Sequence, residues 1–280
     1  MEDRKTLNLD ELQKIARDIR QDIIKMLVEA GSGHSAGPLG ITDVLVALYF
    51  SVLKIDPKKP SWPERDRFVL SAGHLCPALY AVMAQCGFFK KEELLTLRKL
   101  GSKLQGHPSK VDLPGIETSS GPLGQGVSQA VGMAIAGKMD HAPWRVYCLT
   151  SDGEQQEGQT WEALMLAGNR GLDNLTFILD RNEIQISGRT EKVMPLEPLI
   201  EKYRAFNLAV LEINGHNFEE IILACSKARE IKGRPTMIIA HTIPGKGVSF
   251  MENNYEWHGR TPNSQEAEKA LEELKKEVDL

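Results

Sequence analysis

From Arg145 to Ile184 the chain changes character in an order that few architectures accommodate. Arg145-Val146-Tyr147-Cys148-Leu149-Thr150 is short and apolar and runs into Ser151-Asp152-Gly153, which predicts a buried strand ending in a turn. Trp161, Leu164, Met165 and Gly168 recur at helical spacing and predict a helix over 158–169. Leu175-Thr176-Phe177-Ile178-Leu179 is too short for a helix and predicts a second strand, parallel to the first because a helix joins them. Asp180-Arg181-Asn182-Glu183-Ile184 follows as a loop. Such a βαβ unit delivers Asp152 and Asn182 to the carboxyl edge of a parallel sheet, where open α/β sheets bind ligands.

The rest of the chain repeats the alternation. Further strands are predicted over 68–71, 208–213 and 236–240. Helices are predicted over 8–29, 41–53, 75–87, 91–100 (a polar surface helix), 124–139 and 218–231. The small residues Gly126, Ala130, Gly132, Ala134 and Ala136 predict close packing of the helix that carries them. Residues 101–118, rich in Gly, Pro, Ser and His, form a long loop of the kind usually kept for function. The expected fold is an α/β doubly wound parallel sheet with helices on both faces. At 280 residues the chain suffices for one large domain over 1–262. Residues 263–280 then read as a charged helix of that domain, striped by Ala267, Leu271, Leu274 and Val278.

A net charge of −4 gives no reason to expect nucleic acid or an anionic membrane as partner. No apolar run reaches the length of a membrane span. The first residues lack the apolar core of a signal peptide. Cys76, Cys86, Cys148 and Cys225 show no CxxC spacing and sit in apolar context, so buried thiols in a reducing cytoplasm are expected.

At the strand ends, Asp152 offers a carboxylate, Asn182 an amide oxygen and Ile184 a backbone carbonyl. Such a set suits a hard cation that shares its shell with a diphosphate. Gly153, with no Cβ, lets a phosphate oxygen approach its N–H. The plainer alternative is a turn at Asp152-Gly153 and a loop residue at Asn182. Four of the seven histidines, His34, His74, His107 and His258, lie in loops flanked by glycine or proline. Imidazoles there are either surface groups or the proton carriers and hydroxyl-binding groups that carbohydrate chemistry needs. His141 reads as solvent-exposed and His216 as part of a helix-entry turn. No HxxxH or CxxC pair supports a zinc site.

Asp-Gly, Glu-Gly, an alanine-containing helix and a strand ending in Asn resemble the thiamin diphosphate fingerprint, in the form found in transketolases. Ser32-Gly33-His34, the run Asp66 to His74, Gly106-His107-Pro108, Gly121 to Gly126 and Trp257-His258-Gly259 resemble transketolase motifs in their family order, over about residues 10–262. The resemblance implies the pyrophosphate-binding type of thiamin diphosphate domain, with Mg²⁺ (or Ca²⁺ or Mn²⁺) held by Asp152, Asn182 and the Ile184 carbonyl. It implies His34, His107 and His258 as catalytic and sugar-binding groups. His74, Gly121, Leu123, Gly153, Glu157, Ile186 and His241 are implied to serve the cofactor: His74 beside the diphosphate, Gly121 and Leu123 along its aminopyrimidine and middle part, Ile186 against the thiazolium ring. Glu157 would link neighbouring sites through an acidic network, although its place near a helix N-terminus explains it equally.

Ser151 stands where the family usually has glycine, Ser35 where it has proline, and His241 where it often has lysine. The implied reaction is reversible transfer of a two-carbon ketol unit from a ketose phosphate to an aldose phosphate, as in the pentose phosphate pathway. The family's second catalytic domain has no counterpart after Gly259, so the resemblance implies a separate carboxyl-terminal subunit, two of each chain forming a heterotetramer. Open alternatives are a same-cofactor enzyme with another donor (1-deoxyxylulose-phosphate synthase-like, a 2-oxo acid dehydrogenase subunit or an unusual-sugar ketolase) and a non-catalytic binding or scaffolding subunit.

Overall fold

The computed structural model describes residues 7–276. Helix α1 (Leu9–Ala30) starts at Asn8, whose side chain accepts from the Glu11 N–H while the Glu11 carboxylate accepts from the Asn8 N–H, both at 2.9 Å. The reciprocal cap satisfies two donors that the first turn leaves free. Helix α2 (Ala36–Ala47) is buried along its whole length, as its nearly unbroken apolar sequence requires. Strand β1 (Arg67–Leu70), helix α3 (Cys76–Cys86), helix α4 (Gln125–Met139) and strand β2 (Val146–Ser151) follow. Helix α5 (Gly158–Asn169) then joins β2 to β3 (Leu175–Arg181).

A small hairpin, β4 (Ile184–Gln185) and β5 (Gly188–Arg189), leads through α6 (Thr190–Val193) and α7 (Leu199–Ala205) to β6 (Ala209–Asn214). Helix α8 (Phe218–Glu230), strand β7 (Thr236–His241) and helix α9 (Ser264–Lys276) complete the described chain.

The main sheet has five parallel strands in the order β1-β2-β3-β7-β6. The chain steps one way from β1 to β3, crosses to the far edge at β6 and returns to β7, so its direction reverses between β3 and β7. In a doubly wound sheet that reversal opens a crevice at the carboxyl ends of the two strands. Alternate strand residues feed two cores. Val146, Cys148, Phe177 and Leu179 pack with α4, α5 and α7, whereas Tyr147, Leu149, Ile178 and Ile238 pack with α1, α2, α3 and α8. Covered on both faces, β2 and β3 are buried at every residue, which is why they read as continuous apolar runs.

The small face of α4 has the expected consequence. A Cβ on Gly126 would come within 2.6 Å of the Ser71 Cα, so only glycine lets the helix meet the end of β1 this closely. Helix α9 packs on α1 through buried Ala267, Ala270 and Leu274; Val278 lies outside the described residues.

Two expectations are corrected. The helix expected over 91–100 is a 3₁₀ turn over Lys91–Thr96, and Arg98 then adopts φ +61° so that its N–H meets the Leu104 carbonyl. Cys86 is half-buried, unlike the other three cysteines.

Candidate active site

Two groups of the residues singled out in the sequence lie at the carboxyl edge of the sheet: Asp152 after β2 with Asn182 after β3, and His74 after β1 with His34 and His258 around it. Asp152 follows β2 and is fully buried. Its Oδ2 accepts from the Glu183 N–H at 2.5 Å and from the Arg181 guanidinium at 3.1 Å, while Oδ1 is buried with no hydrogen-bond partner. Burial raises its pKa to about 7 against the pull of Arg181, and Asp180 adds to the rise. Asp180 is itself raised to about 6 by burial, although Thr242 and Asn182 donate to it.

Asn182 is oriented by both halves of its amide. Its Nδ2 donates to Asp180 at 2.7 Å and its Oδ1 accepts from the Ile184 N–H at 3.0 Å. The free Asp152 Oδ1 after β2 and, after the neighbouring β3, the Asn182 amide oxygen and the Ile184 carbonyl are oxygen donors of the kind a hard divalent cation takes. Above Gly153 the space is open: a Cβ there would meet only the Gln185 side chain, at 3.7 Å. A cavity of about 200 Å³ opens where the sheet direction reverses, lined by Asn182, Ile184, Arg189, His241, Thr242 and Asn253. His241, the expected basic residue, is half exposed on this cavity with its Nε2 2.8 Å from the Glu212 carboxylate.

His34, His74 and His258 form a cluster with ring centroids 5.1–5.5 Å apart. His74 is held in the turn after β1, His34 in the turn before α2 and His258 after a 3₁₀ turn over Tyr255–Trp257. The Nδ1 of His258 is buried without a partner. Burial pushes His34 and His258 down to about 4 and His74 well below the ordinary histidine range, and mutual repulsion adds to the fall for His34 and His74. His107, more exposed and lowered by burial and by Arg98, packs on Gly121, whose φ of +149° favours glycine. The cluster is therefore a set of neutral imidazoles at pH 7, each able to accept a proton or donate a hydrogen bond.

Ser35 finds a role that proline could not fill. Its buried hydroxyl donates to the Arg260 carbonyl at 2.6 Å and ties the His34 turn to the His258 loop. Ser151 contributes backbone groups: its N–H donates to Glu154 at 3.3 Å and its carbonyl accepts from Gln155 at 3.1 Å.

Leu123 is half-buried, and its carbonyl accepts from Gln159 at 2.9 Å. Ile186, at the tip of the β4–β5 hairpin, is 69% exposed and lies against Gly259, next to His258. Glu157 stands on the surface, apart from the histidines' buried surroundings. Nearby Glu154 is buried, accepting from the Ser71 hydroxyl, the Gly124 N–H at 2.6 Å and the Ser151 N–H; burial raises it to about 7. It clamps the ends of β1 and β2 to the Gly121–Gly126 segment. The roles of Glu154, Asp180, Arg181 and Thr242 are not legible in the sequence because each has a decisive partner far along the chain: Ser71 and Gly124 for Glu154, Asp152 for Arg181, and Asp180 and Thr242 for each other.

The family described as transketolase, thiamine diphosphate binding domain, matches residues 11–277. The chain is 47% identical over 267 residues to a 6-deoxy-6-sulfo-D-fructose transketolase subunit of Clostridium sp., covering 95% of this chain and 97% of that protein. It is 41% identical to an apulose-4-phosphate transketolase subunit of Phocaeicola vulgatus, covering 98% and 97%. The crystal structure of transketolase from Campylobacter jejuni superposes with a TM-score of 0.90 at 37% identity, covering 96% of this chain but 43% of that one. The chain thus spans nearly all of the subunit relatives and less than half of the Campylobacter enzyme. This chain belongs to the transketolase family and corresponds to its thiamine diphosphate-binding domain.

Proposed function

We propose that this chain is the amino-terminal subunit of a two-subunit transketolase that depends on thiamin diphosphate and Mg²⁺ and moves a two-carbon ketol unit between sugars. The observation that carries the proposal is the buried, unpartnered Asp152 Oδ1 at the end of β2, on the strand next to the one that leads to Asn182, at the same sheet edge as His74, around which His34 and His258 cluster. Thiamin diphosphate, when bound, supplies the nucleophilic carbon and electron sink for cleaving the bond next to a ketose carbonyl. Asp152 Oδ1, Asn182 Oδ1 and the Ile184 carbonyl would hold the cation. The Gly153 N–H, His74 and His241 would serve the diphosphate, Gly121 and Leu123 the aminopyrimidine side, and Ile186 would supply an apolar contact to the ring.

His34 and His258 stay neutral at pH 7 and exchange protons with the oxygens of the reacting sugar carbonyl, while His107 hydrogen-bonds its hydroxyls. Glu157, on the surface, faces an adjoining subunit. Relatives of this chain's length are named as transketolase subunits, and the Campylobacter enzyme is more than twice as long, which supports a separate carboxyl-terminal chain and a closed assembly with two of each. A modified ketose is the favoured second reading of the donor, because the two subunit relatives are named for 6-deoxy-6-sulfo-D-fructose and for apulose-4-phosphate. Fluorescence titration with thiamin diphosphate tests the cation site. Binding should require Mg²⁺ in the native chain and be lost in Asp152→Ala; cation-dependent binding by Asp152→Ala refutes the assignment.

A further inference from the structure

Arg181 is the last residue of β3 and is almost fully buried, with its side chain 4% exposed. Its Nη1 donates to Asp152 Oδ2 at 3.1 Å and to Thr190 Oγ1 at 3.2 Å; its Nη2 donates to Glu191 at 3.1 Å and to Glu197 at 2.9 Å. One planar guanidinium therefore joins the end of β2 to both ends of the segment 190–197. That segment is built on the same carboxylates: Glu191 also accepts from the Leu196 N–H at 3.0 Å and Glu197 from the Leu199 N–H at 2.8 Å. The β4–β5 hairpin lies between these attachments. It has two residues per strand, too few to hold itself together in water. At its start Glu183, at φ +62°, gives its N–H to Asp152 Oδ2; at its end Thr190 and Glu191 hang on Arg181.

We propose that Arg181 is a positioning residue: by occupying Asp152 Oδ2 it leaves only Oδ1 to face a cation, and through Glu191 and Glu197 it transmits cation occupancy to the hairpin that carries Ile186. The inference rests on Asp152 as a cation ligand. The guanidinium suits the task because its two nitrogens face opposite partners in a fixed plane; a lysine ammonium is a single point. The cation fixes Asp152, Asp152 fixes Arg181, and Arg181 fixes 190–197. The hairpin then presents the Ile184 carbonyl and the Ile186 side chain at a set height above the site.

The test measures hydrogen exchange across 184–196 in the full chain, with and without Mn²⁺ plus thiamin diphosphate, alongside Mn²⁺ binding itself. In the native chain Mn²⁺ with the cofactor should slow exchange across this segment by about tenfold or more, the mark of suppressed local opening. In the paired variant Glu191→Gln with Glu197→Gln, Mn²⁺ should bind within about tenfold of the native affinity, since Asp152 keeps its guanidinium. The slowing across 184–196 should disappear. These glutamates are 36% and 54% exposed, so the fold tolerates the change.

Arg181→Lys, able to reach only one side, should lose the slowing as well. A simple loosening of the segment would speed exchange equally with and without Mn²⁺ and leave the ratio unchanged. Slowing retained in the paired variant, or an unchanged ratio, overturns the role of Arg181 while Asp152 stands. The measurements are made on the chain assembled with its carboxyl-terminal partner, and failure of that assembly to bind Mn²⁺ with the cofactor, or binding retained there by Asp152→Ala, overturns Asp152 as a cation ligand and the coupling with it.

Discussion

Replacing Ser35 tests whether the two histidine loops are tied as the structure shows. The hydroxyl is fully buried and donates at 2.6 Å to the Arg260 carbonyl, two residues from His258. Ser35→Ala removes the donor and leaves that carbonyl without its partner. Arg260 is exposed, so water can meet its carbonyl and the loss is that of a net hydrogen bond, about 0.5–1.5 kcal/mol. For a chain of this size, 1 kcal/mol shifts Tm by about 2–4 °C, so a drop of roughly 1–6 °C is expected. Ser35→Pro, which restores the residue usual in the family, should be worse. Ser35 has φ −106°, away from the value of about −65° that the ring imposes. Scanning calorimetry of the three proteins gives the order native, alanine, proline. Native-like melting of Ser35→Pro would refute the reasoning, because both the lost bond and the imposed φ must cost something.

Other consequences are accessible to simpler assays. His34 and His258 are held at about 4 in the folded chain, below the ordinary value near 6.5, mainly by burial. A depressed base favours the fold above its unfolded pKa, so stability is fully present above about pH 6.5 and lost as pH falls toward 4, by about 2 kcal/mol per ring after discounting partial exposure. Ring proton resonances that titrate near 6.5 would contradict this. Glu154→Ala strands the Ser71, Gly124 and Ser151 donors and should cost about 2–4 kcal/mol, whereas exposed Glu157→Gln should stay within about 0.5 kcal/mol in thermal unfolding of this chain. Gly126→Ala should destabilise by about 1–3 kcal/mol, because its Cβ meets the Ser71 backbone; melting at the native temperature would show that α4 can shift freely.

What could be read from the sequence was what is encoded locally. The β2–α5–β3 unit was legible because strands covered on both faces are continuous apolar runs, and Asp152-Gly153 marks where one ends. The four loop histidines stood out by their glycine and proline neighbours. What was missed depends on partners far along the chain. Arg181 looks like a loop charge until Glu191 and Glu197 are folded against it. Glu154 gathers donors from positions 71, 124 and 151, which no local pattern links.

His216, read as part of a helix-entry turn, also pins the loop after β7. Its Nδ1 lies 2.7 Å from Asp43 and its Nε2 accepts from the Ile243 N–H at 2.8 Å. The hairpin was invisible because a two-residue strand carries no periodicity, and the helix expected over 91–100 fails at Arg98, whose φ no composition rule foretells.

A transketolase site completed by a second chain works only when both chains are present. A coupled ketol-transfer assay decides this, run on the chain with and without a carboxyl-terminal partner and given Mg²⁺, thiamin diphosphate, an aldose phosphate and a panel of ketose donors that includes xylulose 5-phosphate and modified ketoses. Transfer is expected only in the mixture, with at least one donor of the panel. Transfer by this chain alone, or none from the mixture with any donor although the cofactor binds, would contradict it.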